Sequence, residues 1–245
     1  MASLLATGLT LLSSLPLAPD PIAERMIPLI PEVISLVQQC WKLDTRLNGF
    51  YKRLENSTSG PLYWAQMSNG FNRSILDEVA DAEGRKVGEI FPVAFQFESL
   101  KTAKTCMNLW ATQAILWSGM SFVYTLLQHV IPPSAMAQLG LPPMDERMDP
   151  AAVAKNICQS MEYWSGRNLE STVILAIFPL KVAVETLGDV VQGSGVGERE
   201  FEWAKTLMEK IGANGVRLLR HMDGPIEQHA YIPAPDVVKK GEVVT

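Results

Sequence analysis

The chain has 245 residues, 47% of them apolar and only 19% charged. That apolar share supports a sizeable core and excludes wholesale disorder, while the charged share falls below the roughly 25% usual for globular domains. With 21 basic and 26 acidic side chains the net charge is −5, so no basic field gathers phosphates and direct nucleic-acid binding is not expected.

Residues 1–30 form an apolar segment and a proline-rich joint. Leu4, Leu5, Leu9, Leu11 and Leu12 suit a short helix to about Leu15, and Pro16, Pro19 and Pro21 end it. No basic residue precedes Arg25, which argues against a secretory signal. A helical domain is expected over residues 31–222. Pro31 suits a first helical turn, and Val33, Val37, Cys40, Trp41, Leu47, Phe50, Tyr51 and Leu54 return at spacings of three or four. Lys42, Asp44, Arg46 and Lys52 fill the other side of this helix, which stops near Asn56. Residues 57–90 are irregular, with Tyr63 and Trp64 as anchors and a turn or two of helix at Ser74–Ala82.

The strongest pattern follows. From Phe97 or Ser99, one stripe carries Leu100, Ala103, Met107, Trp110, Ala114, Trp117, Ser121 and Tyr124, and the helix runs past Leu127 to Pro132. The stretch Thr105–Met144 lacks Asp, Glu, Lys and Arg, yet Asn108, Thr112, Gln113, Ser118, Ser121, Thr125, Gln128 and His129 recur through it. They give one wet edge, as on a buried core helix rather than a membrane span. After a Pro-, Met- and Gly-rich crossover at 132–148, Asp149-Pro150 is a helix start, with Val153, Ile157, Met161 and Trp164 as its seam. A further helix begins near Leu169. Its block Ile174–Phe178 is apolar all round and predicts full burial, and Pro179 predicts a kink or a division. Glu198–Ile211 is amphipathic, a last short helix spans about Gly215–His221, and residues 223–245 read as a loose tail. No convincing pair of strands is evident, so the fold class is all-α, a single domain of packed antiparallel helices with one long central helix.

Chemical motifs are scarce. Cys40, Cys106 and Cys158 are an odd, widely spaced set that fits buried free thiols and a reducing compartment, not a disulfide framework or a zinc knot. His221, Asp223, Glu227 and His229 superficially match an iron triad, but a Gly/Pro-containing tail is a poor scaffold for one. Gly193-Ser194-Gly195-Val196-Gly197 lacks the strand before and the lysine after that a phosphate loop needs, and reads as an interhelical loop. No catalytic residue, metal or cofactor is called for. Trp110 and Trp117, with Met107 and Met120, are the residues that would line a ligand pocket, though the same spacing also describes core.

The block Ile90-Phe91-Pro92-Val93-Ala94-Phe95-Gln96-Phe97, running into Leu100-Lys101-Thr102-Ala103, resembles the central signature of the C-terminal regulatory region of fungal zinc binuclear-cluster transcription factors. Ala154–Tyr163, Ile177–Ala183, and Glu202-Trp203-Ala204 with Ile211-Gly212 follow in that family's order, and Leu43-Asp44 and Phe50-Tyr51 fit its upstream segment. The resemblance spans about residues 30–220. The six-cysteine module with which members usually begin does not occur in these residues.

The resemblance implies a transcription-regulator-like protein without its own DNA-binding module. Such a protein acts through protein contacts in the nucleus or cytoplasm, for example on a transcription factor, with self-association also open. It further implies control of a fungal secondary-metabolite gene cluster. Two other readings stay open: an enzyme or small-ligand-binding protein of such a pathway that reuses the scaffold, and a gene whose DNA-binding exon lies upstream.

Overall fold

The computed structural model describes residues 27–68, 90–132, 137–165 and 169–213. After a 3-10 turn at Ile27–Leu29, helix α1 spans Ile30–Asn56 with proline in its first turn, and the Ser57 N–H closes it onto the carbonyls of Arg53 and Leu54. Strands β1 (Tyr63–Met67) and β2 (Val93–Phe97) pair antiparallel, Tyr63 opposite Phe97 and Met67 opposite Val93. Helix α2 spans Leu100–Val130. Ser99 is its N-cap, its hydroxyl accepting the Thr102 N–H at 3.1 Å, and extended backbone at Ile131 ends it before Pro132.

The crossover contains a 3-10 turn at Ala137–Leu139. Helix α3 (Pro150–Ser165) starts as its sequence dictates, with the Asp149 carboxylate accepting the Ala151 N–H at 2.8 Å. Helix α4 (Leu169–Ser194) closes through Gly195, whose φ of 68° lets its N–H return to the Val191 carbonyl at 2.8 Å. Helix α5 spans Glu198–Ala213.

Helices α2, α3 and α4 pack on one another, α5 covers α4, and the strand pair lies on α3 through β2. Helix α1 runs antiparallel along α2 at the edge, Ile30 and Ile34 meeting Leu127 and Val130 at one end. The class is all-α, with α2 the longest helix, about 45 Å. The α3 seam is buried as its spacing predicts, from Val153 through Ile157 and Met161 to Trp164. Trp203, Ala204 and Leu207 bury α5 in the same way.

Three expectations are corrected, and of the kink or division expected at Pro179 the division does not occur. A pair of strands exists, and Phe91, Ala94 and Phe97 bring its second half into the core. Within the Ile174–Phe178 block only Ala176 and Ile177 are buried, while Ile174 and Phe178 are exposed because no described element covers that side of α4. Pro179 is buried inside α4 and does not divide it. On α2 the wet edge excludes Gln113, which is buried, and Ser121 leaves the apolar stripe for the surface. The helices expected at 1–15, 74–82 and 215–221, the tail, and the His221, Asp223, Glu227 and His229 cluster lie outside the described residues.

One ion pair ties α3 to the start of α5, with Lys155 Nζ at 2.9 Å from Glu200 Oε1. Burial alone would raise the Glu200 carboxyl. The hydrogen bond from Lys155, a backbone N–H and the charges of Lys155 and Arg199 outweigh it and hold the group below its ordinary 4.5. A depressed carboxyl stabilises the fold above the unfolded value, and that contribution disappears as pH falls through the folded value. Lys155→Met should therefore lower stability by about 0.5 kcal/mol near neutrality. The difference in urea midpoint from the unaltered chain should shrink once the pH drops below 4.5. Equal differences at both pH values would exclude this role for the pair.

Candidate functional site

The inward face of α1 is set by a 3–4 spacing through Ile30, Ile34, Val37, Trp41, Asp44 and Asn48. Asp44 falls on that row and not on the solvated side, and is only 6% exposed. Its Oδ1 accepts the Trp117 indole N–H from α2 at 2.9 Å, and its Oδ2 accepts the Asn48 amide at 2.8 Å. A second clamp runs the other way between the same helices. The Trp41 indole N–H donates to the Tyr124 hydroxyl at 2.9 Å, and that hydroxyl donates to the Pro142 carbonyl, fastening the crossover over the helix pair.

Around Asp44 lies a cavity of about 240 Å3. Trp110 and Trp117 form its walls, Asn48, Tyr51 and Gln113 add polar groups, and Arg147 and Met148 of the crossover complete it. Arg147 is well exposed and is held by Asp145, its Nε 2.9 Å from Oδ2. Hydrogen bonds from the Arg147 side chain and backbone, with its charge, pull the Asp145 carboxyl down to about 2. The negative charge of Asp44 also reaches Arg147. The Tyr51 phenol is pushed well above its ordinary value, first by burial and then by Tyr63 and Glu55, so it stays protonated as a donor.

This arrangement has an anion at the floor, a cation in the lining and indole walls. It suits a small hydrogen-bond donor or cation of a few heavy atoms, being smaller than the roughly 300–1,000 Å3 of ordinary ligand pockets. Both carboxylate oxygens already hold neutral donors.

Of the residues the sequence singled out, the structure brings Trp110 and Trp117 together on the cavity. Met107 is in the main core instead, and Met120 packs with Val37 and Tyr124 further along the α1–α2 contact. Asp44, Asn48, Gln113 and Arg147 were not foreseen. The signal for Asp44 was its place seven residues after Val37 on the inward row; its charge suggested the opposite face.

No family model, curated protein or solved structure matches this chain. Among the described residues no cluster of three His, Cys, Asp or Glu could hold a metal ion, and no helix is long and apolar enough to cross a membrane.

The thiols are placed for packing. Burial pushes Cys106 up to about 11 and Cys158 up to about 12, the latter with help from the Glu200 charge. Half-buried Cys40 is raised by burial too. Since the thiolate is the reactive form, iodoacetamide at about pH 8 should modify Cys40 slowly and leave Cys106 and Cys158 intact until denaturant is added. Peptide mass mapping reads this directly, and rapid labelling of Cys158 in the folded chain would contradict its placement.

The other notable surface lies roughly a quarter-turn round α1 from Asp44. Leu36, Leu43 and Phe50 are exposed there, and on α2 Ile115 and Phe122 are exposed as well, Phe122 by 65%. Leu47 and Phe50 face Thr105, Asn108, Leu109 and Thr112 of α2 across an open groove of about 510 Å3. Contiguous exposed apolar side chains of this kind mark contact surfaces.

Proposed function

We propose that the chain is a transcription-regulator-like protein that acts through protein contacts and carries no DNA-reading module in these residues, in the control of a fungal secondary-metabolite gene cluster. The observation that carries the reading is where the resembling blocks fall. Phe91, Ala94 and Phe97, then Ala154, Ile157 and Met161, then Ile177, Leu180 and Ala183, then Trp203 and Ala204 are all core residues of one helical fold. Packing determinants in a fixed order are what a resemblance of fold leaves behind. The outward sides of the same helices supply the contact chemistry, with Ile174 and Phe178 on α4 forming one exposed apolar pair.

A second reading takes support from the cavity at Asp44, where Trp110 and Trp117 flank a buried carboxylate. There the protein binds or converts a small intermediate of the same pathway. Deleting the gene separates the two. A regulator changes the transcripts of neighbouring pathway genes. Level transcripts with an accumulating intermediate would establish the second reading and remove the first.

A further inference from the structure

Helix α1 carries more apolar surface than its own fold uses. One row packs on α2. The other begins with Leu29, Leu36, Leu43 and Phe50, seven residues apart and all exposed. Between them come Val33, Cys40, Leu47 and Leu54, each half-buried. The combined spacing alternates four and three without a break from Leu29 to Leu54, the heptad seam of a coiled coil. An edge helix needs only one apolar stripe to hold its place. The second is only partly used: Val33, Cys40 and Leu54 touch the core from its edge and Leu47 borders the groove beside α2, while Leu29, Leu36, Leu43 and Phe50 stay exposed.

We propose that two copies of this chain pair antiparallel along α1, seam to seam, as a two-fold dimer. An antiparallel heptad pairing sets the first seam position of one helix against the last of the other. Here Leu29 meets the partner's Leu54, Val33 the partner's Phe50, Leu36 the partner's Leu47, and Cys40 the partner's Leu43. Every layer is apolar and occurs twice.

Charge selects this occupant and this direction. The positions flanking the outer side of the seam are Glu32, Gln39, Arg46 and Arg53. In the same register Glu32 faces the partner's Arg53, and Gln39 faces the partner's Arg46, again twice. Parallel pairing would set Glu32 and Arg53 beside inward-facing Val37 and the end of the helix, with no opposite charge. Such flanking pairs add little affinity each but fix register and orientation. The seam is self-complementary, as an isologous contact requires. Gly119 of α2, between exposed Ile115 and Phe122, has nothing within 4 Å of the space a Cβ would occupy, so this stretch of α2 is open.

The pairing stands apart from the regulatory reading, because a dimer whose gene deletion leaves transcripts level keeps the one and removes the other. Sedimentation equilibrium of the full chain, from about 1 to about 100 μM, should give a species of twice 27.0 kDa. Leu36→Glu with Leu43→Glu changes only exposed side chains and should give a monomer with an unaltered circular dichroism spectrum and melting curve. Glu32→Arg alone, or Arg53→Glu alone, should weaken the dimer about fivefold or more, and the two together should restore it to within about twofold. A monomer throughout this range overturns the proposal and leaves the seam to another protein or to residues 1–26 of the same chain. A dimer that survives the two glutamates overturns it too. Failure of the double charge exchange to restore affinity overturns the antiparallel register.

Discussion

Replacing Phe97 with alanine is expected to destabilise the chain by about 3–5 kcal/mol, the cost of truncating a fully enclosed aromatic side chain. Phe97 is 3% exposed and joins three elements. Its ring lies 5.1 Å from Tyr163 on α3 in an edge-on arrangement, 6.0 Å from Tyr63 on β1 and 6.3 Å from Trp110 on α2. Each such pair adds about 0.5–1.5 kcal/mol beyond the area it buries. With total stability on the order of 5–15 kcal/mol, this one change removes a large share. Urea unfolding followed by circular dichroism should show a lower midpoint with an unchanged slope, and the melting temperature should fall by roughly 10 °C. Phe95, on the same face of the strand and also against Tyr63 and Trp110 but only half-buried, is the comparison and should cost less, about 1–2 kcal/mol. A Phe97→Ala chain within about 1 kcal/mol of the original would mean that the strand pair does not lie on the helices in this way.

That strand pair also shows where sequence reasoning stops. Ser99 before a long apolar stripe, Asp149-Pro150, and the alternation of Val153, Ile157, Met161 and Trp164 are local signals, and the helices they predict are the helices observed. The pairing of Met67 with Val93 is not local. Each strand is five residues long and too short to declare a period, and the partner lies far along the chain. Exposure is non-local for the same reason. Ile174 and Phe178 sit in an apolar block, and only the arrangement of α2, α3 and α5 around α4 decides that they face outward. The two apolar rows of α1 read as one broad face in the sequence, because only the packing of α2 separates the row that is covered from the row that is only partly used.

The candidate site was half legible for a related reason. Trp110 and Trp117 are seven residues apart, so spacing alone places them on one side of α2. What faces them comes from α1 and from the crossover, which no spacing on α2 can reveal. Asp44 could have been found only by trusting its position above its charge. A carboxylate is almost never buried unless it is paired or hydrogen-bonded, and here Trp117 and Asn48 meet that condition.

Asp44 therefore carries the second large prediction. Asp44→Ala leaves the Trp117 indole N–H and the Asn48 amide without their acceptor at a position only 6% exposed, and should cost about 2–3 kcal/mol. Asp44→Asn keeps the shape and one oxygen for Trp117, so it should cost about half as much. Trp117→Phe removes the donor while keeping most of the ring. The double variant, Asp44→Ala with Trp117→Phe, should then be more stable than the sum of the single costs implies, by about 1–2 kcal/mol, because the unpaired donor is gone. Urea midpoints of the four chains close this cycle. Strict additivity would show that the 2.9 Å hydrogen bond contributes nothing to holding α1 on α2. In that case Asp44 would be free to serve a bound molecule, and the cavity between the tryptophans would weigh more than the clamp.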